Sequence, residues 1–274
     1  MKTDNQNVNK SGIIYSCYHS ASRDGEHFVP EHTLSFQIAG SLVFNDGSKS
    51  YASEENSFRL IRRNQLLKFV KHPPKEGEFQ SLSIYFDQRT LKDFSLHYNV
   101  SAETTAHAAP VIHIEMTPSL QAYVHALLIY HERNALGNAA IIDLKLKEGL
   151  LLLLDAHPEL KNVLFDFTEP FKIDLEEFML RNYHFNVNLE RFAYLTGRSL
   201  ATFKRDFQHV FQTSPRQWLQ QKRLEQAHYL MTKEGKNANT IYLDVGFENL
   251  SHFSYAFKKR FGYAPSSLKA SQPR

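Results

Sequence analysis

Along residues 11–115, apolar side chains recur at every second position in short runs. Phe36, Ile38, Leu42 and Phe44 alternate in this way around Ala39-Gly40. Runs at 13–18, 33–38, 41–44, 57–60, 66–71 and 79–86 predict strands, separated by turn signals at Ala39-Gly40, Asn45-Asp46-Gly47, Pro73-Pro74 and Glu76-Gly77. A period of two suits a sheet with one buried face. Many short strands in about a hundred residues predict a sandwich or a small barrel.

The period changes over 117–163. Thr117-Pro118 starts a helix, because proline at the first turn gives up an N–H that has no partner there anyway. Leu120, Val124, Leu127 and Leu128 then share a face. After a break at Leu136-Gly137-Asn138, Ile141, Leu144, Leu146, Leu150, Leu151, Leu153 and Leu154 predict a second helix, and so a hairpin. That helix has more leucine than one packing stripe needs. The surplus suits either burial against another subunit or internal core.

Residues 166–170 read as a connector, and helices follow to the end. Asp174 with Glu177 has capping-box spacing. Two copies of one pattern then appear. In the first, Asn188 caps a short helix bearing Phe192, Ala193 and Leu195. Gly197 makes a sharp turn, and Ser199 caps a second helix with Leu200, Phe203 and Phe207 on its buried side. In the second, Ile241, Val245 and Phe247 pack inward, Gly246 turns, Asn249 caps, and Leu250, Phe253 and Phe257 are buried. Between them Ser214-Pro215 opens a long helix with Trp218, Leu219, Leu224, Ala227 and Leu230 along one side. The segments suggest 11–115, 116–165 and 170–274 as three domains: a regulatory part, a dimerisation hairpin, and a pair of helix-turn-helix units.

Charge sharpens this division. Residues 171–274 hold 16 Lys and Arg against 9 Asp and Glu, a net +7, whereas residues 1–170 hold 16 against 20, a net −4. A basic tail behind an acidic front suits a polyanion binder. With Cys17 as the only cysteine, no intramolecular disulfide forms. Residues 1–10 are polar, unlike a signal peptide, and the greasy run at 150–154 is too short to cross a bilayer. A soluble cytoplasmic protein with no membrane role is expected.

A helix presented on a short turn fits the major groove of duplex DNA. Ala201, Lys204, Arg205 and Gln208 are left outward on the first reading helix, and Arg205 is the candidate for a bidentate contact with guanine. Ser251, His252, Ser254 and Tyr255 are outward on the second, which implies fewer strong base contacts there. Lys258, Lys259 and Arg260 are candidate phosphate partners with Gln208, and the helix starts at Ser199 and Asn249 turn N–H groups toward phosphates. No nucleophile–base–carboxylate arrangement, convergent His/Glu cluster or glycine-rich phosphate loop emerges, so no catalysis, metal or cofactor is expected. His27 and His32 lack third and fourth ligands. Phe36, Arg59, Arg62, Arg63 and Phe69 are candidates for an effector pocket, or equally for core and rim.

The segment from Asp244 to Pro265 resembles the signature of the AraC/XylS family of bacterial transcription regulators. Gly246, Phe247, Ser251, Phe253, Phe257, Lys258, Phe261, Gly262 and Pro265 stand at its pattern positions. Ser199, Phe203, Phe207 and Pro215 match a weaker first-unit pattern, and Arg223, Leu224 and Ala227 match the linking helix. The resemblance covers roughly 172–269. It implies two units entering successive major grooves, with Ala201, Lys204, Arg205, Ser251, His252 and Tyr255 facing bases. It also implies a cupin-like barrel in front of a helical hairpin, so the expected class is α+β with an all-α tandem reader at the end. Gln212, Tyr242, Tyr255 and Leu268 depart from the pattern. An activator that contacts RNA polymerase, as a homodimer with a small-molecule or protein effector, is the reading this supports. A non-specific architectural nucleic-acid binder and a small-molecule cupin enzyme are the competitors.

Overall fold

The computed structural model describes residues 12–21, 27–104 and 108–268; the polar stretch at 1–10 lies outside them. Strands β1 (Gly12–Tyr18), β3 (His32–Ala39), β6 (Phe58–Ile61), β9 (Phe79–Phe86) and β10 (Val111–Ile114) form a five-stranded antiparallel sheet in the order β1-β9-β3-β6-β10. Strands β4 (Ser41–Asn45), β5 (Ser50–Ser53) and β8 (Lys68–His72) form a second sheet, and β2 (Phe28–Val29) pairs with β7 (Gln65–Leu66).

The expected cupin-like barrel or sandwich is corrected by this arrangement: the sheets are open. Strands β1 and β10 end the large sheet without pairing to each other. Register shifts between Gln37 and Ala39, after which the chain leaves for the second sheet. Alternation predicts one buried face, but both faces of the large sheet are covered, with Thr33, Ser35, Gln37 and Arg59 buried opposite the apolar side. Leu34, Leu60, Leu82 and Ile84 share the apolar face, but helices cover it rather than the sheet curling on itself.

Those helices are α1 (Gln88–Tyr98), α2 (Pro118–Glu132), α3 (Ala139–Ala156) and the short α4 (Lys161–Leu164). Helix α1 was not anticipated within a run read as strands. It starts at Asp87, whose carboxylate accepts the Thr90 N–H, and buries only Leu91 and Phe94, so its apolar signal is thin. The hairpin begins as predicted at Thr117-Pro118 and turns over residues 133–138. Leu120, Tyr123, Val124 and Leu127 of α2 and Leu146, Leu150 and Leu153 of α3 join the sheet's core. Among the described residues no helix is long and apolar enough to cross a membrane.

The remainder is helical: α5 (Leu175–Asn182), α6 (Leu189–Leu195), α7 (Leu200–Phe211), α8 (Pro215–Lys233), α9 (Ala238–Ile241) and α10 (Leu250–Phe261). Two cores form here. One gathers Phe192, Phe203, Phe207 and Trp218 and also takes Phe28 and Leu66 from the β-rich part. The other, with Leu224, Ile241, Phe253 and Phe257, takes every side chain from beyond residue 223.

Candidate nucleic-acid interface

Each repeat of the sequence pattern folds as a short helix, a turn and a longer helix. In the first, the Asn188 side chain accepts the Arg191 N–H at 2.9 Å and Ser199 Oγ accepts the Thr202 N–H at 3.2 Å. In the second, Asn249 Oδ1 accepts the His252 N–H at 2.8 Å. The turns pass through Gly197 (φ +64°) and Gly246 (φ +95°), a region that penalises any Cβ. The buried spokes repeat closely: ring centroids of Phe203 and Phe207 are 5.5 Å apart, and those of Phe253 and Phe257 are 5.6 Å apart. Burying these apolar faces orients the opposite faces outward.

Ala201, Lys204, Arg205 and Gln208 are exposed on α7, as are Ser251, His252 and Tyr255 on α10. The Arg205 side chain is 78% exposed, and its Nε stands 3.8 Å from Asp206 Oδ1. Arg198 Nε donates to the other Asp206 oxygen at 3.1 Å, and Lys172 is 3.4 Å away. The Arg198 bond, then Lys172, lower the Asp206 pKa. Lys258, Lys259 and Arg260 occupy the last, exposed turn of α10, with Arg260 4.0 Å from Glu225. Their position also suits the negative end of the helix dipole. Ser199 and Asn249 are exposed and spend their side chains on capping.

The departures from the family pattern are accommodated locally. Gln212 adopts φ +54° where a glycine was expected, and its Nε2 donates to the His209 carbonyl at 2.7 Å. Tyr242 and Leu268 pack, half-buried, against the second core.

Of the five candidate effector residues, the structure brings Arg59 and Phe69 together on the Phe44 ring and places Phe36, Arg62 and Arg63 elsewhere. Phe36 lies on the helix-covered face beside Phe58, with ring centroids 6.1 Å apart. Arg59, one residue on, points to the opposite face. There it donates to Ser53 Oγ, Ser35 Oγ and Gln37 Oε1 and lies 5.1 Å from the centre of the Phe44 ring. Burial pulls its pKa down to about 9. Phe69 packs on the same Phe44 ring, and Arg62 donates to the Ala108 carbonyl. Arg63 holds the connector through the Asp166 and Thr168 carbonyls at 3.0 and 2.8 Å.

The sequence marks Arg223 only as a match to the linking helix and His27 only as an incomplete ligand set; the structure gives both, with Lys68, a place at the junction of the two units and the regulatory half. Arg223 of α8 donates to the carbonyls of Tyr183, Phe185 and Gly246 at 2.7, 2.7 and 2.9 Å. His27 Nδ1 accepts the Asn186 N–H at 2.9 Å, and Lys68 Nζ donates to the Asp244 carbonyl. Burial, then the Lys68 and Arg223 charges, push His27 down to about 4. His184, close by, falls to about 3 for the same reasons with His27 added. Both rings are therefore neutral near pH 7, and His27 accepts. Nothing in a single sequence pairs His27 with Asn186, 159 positions away.

A family model described as a helix-turn-helix domain matches residues 192–271, and one described as the ExsA N-terminal regulatory domain matches 32–163. The chain is 26% identical over 257 residues to the HTH-type transcriptional regulator ExsA of Pseudomonas aeruginosa, covering 92% of this chain and 91% of that protein. It is 25% identical over 254 residues to the virulence regulon transcriptional activator VirF of Yersinia enterocolitica, covering 88% and 91%. Among solved structures, ToxT from Vibrio cholerae aligns with a TM-score of 0.41 at 15% identity, over 94% of this chain and 97% of that one.

Proposed function

This chain belongs to the AraC/XylS family of bacterial transcription regulators, and from that premise we propose how its parts divide the work. It is a DNA-binding transcription activator and not an enzyme. Residues 170–274 form the reader, 11–115 the regulatory domain and 116–165 the dimerisation hairpin. Helices α7 and α10 enter successive major grooves of one duplex. The observation that carries this reading is a cleft of about 440 Å³ between the two units. Lys204 of α7 and His252 of α10 both line it, so one candidate base-facing residue of each helix borders a common opening.

In this reading Arg205 contacts guanine, with Ala201 and Lys204 beside it. Ser251, His252 and Tyr255 read the second groove. Ser199, Gln208, Asn249, Lys258, Lys259 and Arg260 hold phosphates. Arg205→Ala is expected to cost about 1–3 kcal/mol, concentrated at one base pair. Lys258→Ala should weaken matched and mismatched duplexes alike and reduce the salt slope by about one. Both variants are titrated against a matched site, single-base mismatches and a scrambled duplex. Identical loss profiles would remove the assignment, and equal wild-type affinity for the scrambled duplex would favour the architectural competitor.

The hairpin pairs two chains in the same proposal. Leu144 and Leu151 stand one heptad apart on α3 and remain 68% and 43% exposed, while Leu146, Leu150 and Leu153 are spent on the core. Sedimentation velocity should give a dimer that Leu144→Glu with Leu151→Glu turns into a folded monomer; an unchanged dimer would place the interface elsewhere. The protein works in the cytoplasm, where RNA polymerase is its contact, and a small-molecule or protein effector acts on the regulatory half.

A further inference from the structure

Among the described residues, no apolar core spans both reading units. The second unit's core contains no residue from before Leu224. Its angle to the first is set by the continuity of α8 and by polar contacts at one junction. Arg223 draws the Tyr183, Phe185 and Gly246 carbonyls together. Asn186 Nδ2 donates to Glu248 Oε1 at 3.2 Å, joining the residue two before the α6 cap to the residue just before the α10 cap.

The regulatory half reaches this same junction and touches both units. His27 accepts the N–H of Asn186, on the first unit's side. Lys68 of β8 donates to the carbonyl of Asp244, two residues before the turn glycine of the second unit, and its ammonium lies 5.8 Å from the centre of the Phe185 ring. Phe28 and Leu66 anchor β2 and β7 in the first unit's core, and the Arg191 guanidinium lies 4.5 Å from the centre of the Phe28 ring. Among the described residues, Lys68 carries a bond from this anchored platform across to the second unit's turn.

We propose that His27 and Lys68 are positioning residues for DNA reading: the regulatory half sets the angle between the two reading helices, and so the half-site spacing the protein accepts. Neither touches DNA; both act through the 183–187 loop and the turn at 244–246. A base-pair insertion between half-sites rotates one groove by roughly 34° about the duplex axis, so the accepted spacing reports that angle directly. The proposal rests on the two-groove reading given above.

The test uses the full chain and three duplexes: both half-sites at their selected spacing, the same with one base pair inserted, and one half-site alone. For the wild type, insertion is expected to weaken binding by about 30-fold or more, toward the single half-site value. Lys68→Met with His27→Leu should cut that penalty to about threefold or less while leaving half-site affinity unchanged. His27→Gln, which keeps an acceptor, should retain the wild-type penalty. Equal penalties in the wild type and the double variant would overturn the proposal. A wild type that gains nothing from a second half-site would instead overturn the two-groove reading. Should the double variant not fold, Lys68→Met alone is read by the distance between spin labels at Gln208→Cys and Lys259→Cys in a Cys17→Ser background. A broadened distribution supports the proposal, and one identical to that of Lys68 protein rejects it.

Discussion

Gly197→Ala is expected to lower the unfolding free energy of the reader by about 3–5 kcal/mol and to abolish DNA binding near physiological temperature. Two costs combine. The residue sits at φ +64°, where a side chain costs of order 1 kcal/mol. The larger cost is steric. An added Cβ would lie 2.2 Å from the carbonyl carbon of Phe171 and 2.4 Å from the Lys172 nitrogen. These are backbone atoms, so no rotamer change relieves the clash. The segment 171–173, which continues the connector, crosses the first turn here and is pinned again where Arg198 donates to the Ile173 carbonyl at 3.0 Å. Urea unfolding followed by tryptophan fluorescence checks this, because Trp218 lies in the adjoining core with Phe207. A loss of less than about 1 kcal/mol would mean that the connector does not dock on this turn.

Arg223→Ala is the second large effect. One guanidinium satisfies three carbonyls from two parts of the reader, the 183–187 loop and the turn at Gly246. Burial pulls its pKa down to about 10, and it stays charged at neutral pH. Charge-assisted bonds contribute about 1.5–3 kcal/mol each, less when they share a donor group, so a total loss of about 3–5 kcal/mol is expected. Arg223→Lys should recover only part of it, since a point charge cannot span three acceptors as a planar fork does. Denaturation midpoints of the three proteins give the ranking; alanine and lysine variants equal to wild type would show the fan to be dispensable. Gly246 belongs to the same feature, because a Cβ there would stand 2.8 Å from Arg223 Nε and 2.8 Å from the His184 carbonyl oxygen.

The reader was legible in the sequence because its determinants are local. A cap, a turn glycine and aromatic residues at spacings of three and four fall within about twenty residues of one another. Each can be read without knowing what lies across from it. Val210, at the edge of that stripe, is 41% exposed and marks where the stripe ends. The strands were legible for the same reason, with β1, β3, β4, β6 and β9 near their predicted places. The two-residue strands β2 and β7 carry no period, and α1 buries too little to announce itself. Phe36 and Arg59 fall on opposite faces because a period of two separates them once β3 and β6 pair Phe36 with Phe58.

The amino-acid pattern by itself determined the two reading units, their capping residues, their outward side chains and the family to which they belong. Tertiary structure alone decided that the front sheets stay open, that a connector lies across Gly197, and that His27, Lys68 and Arg223 meet at one junction. The division follows from range. Periodicity records which face of an element is apolar, whereas closure of a sheet and contacts between residues more than a hundred positions apart depend on what covers that face.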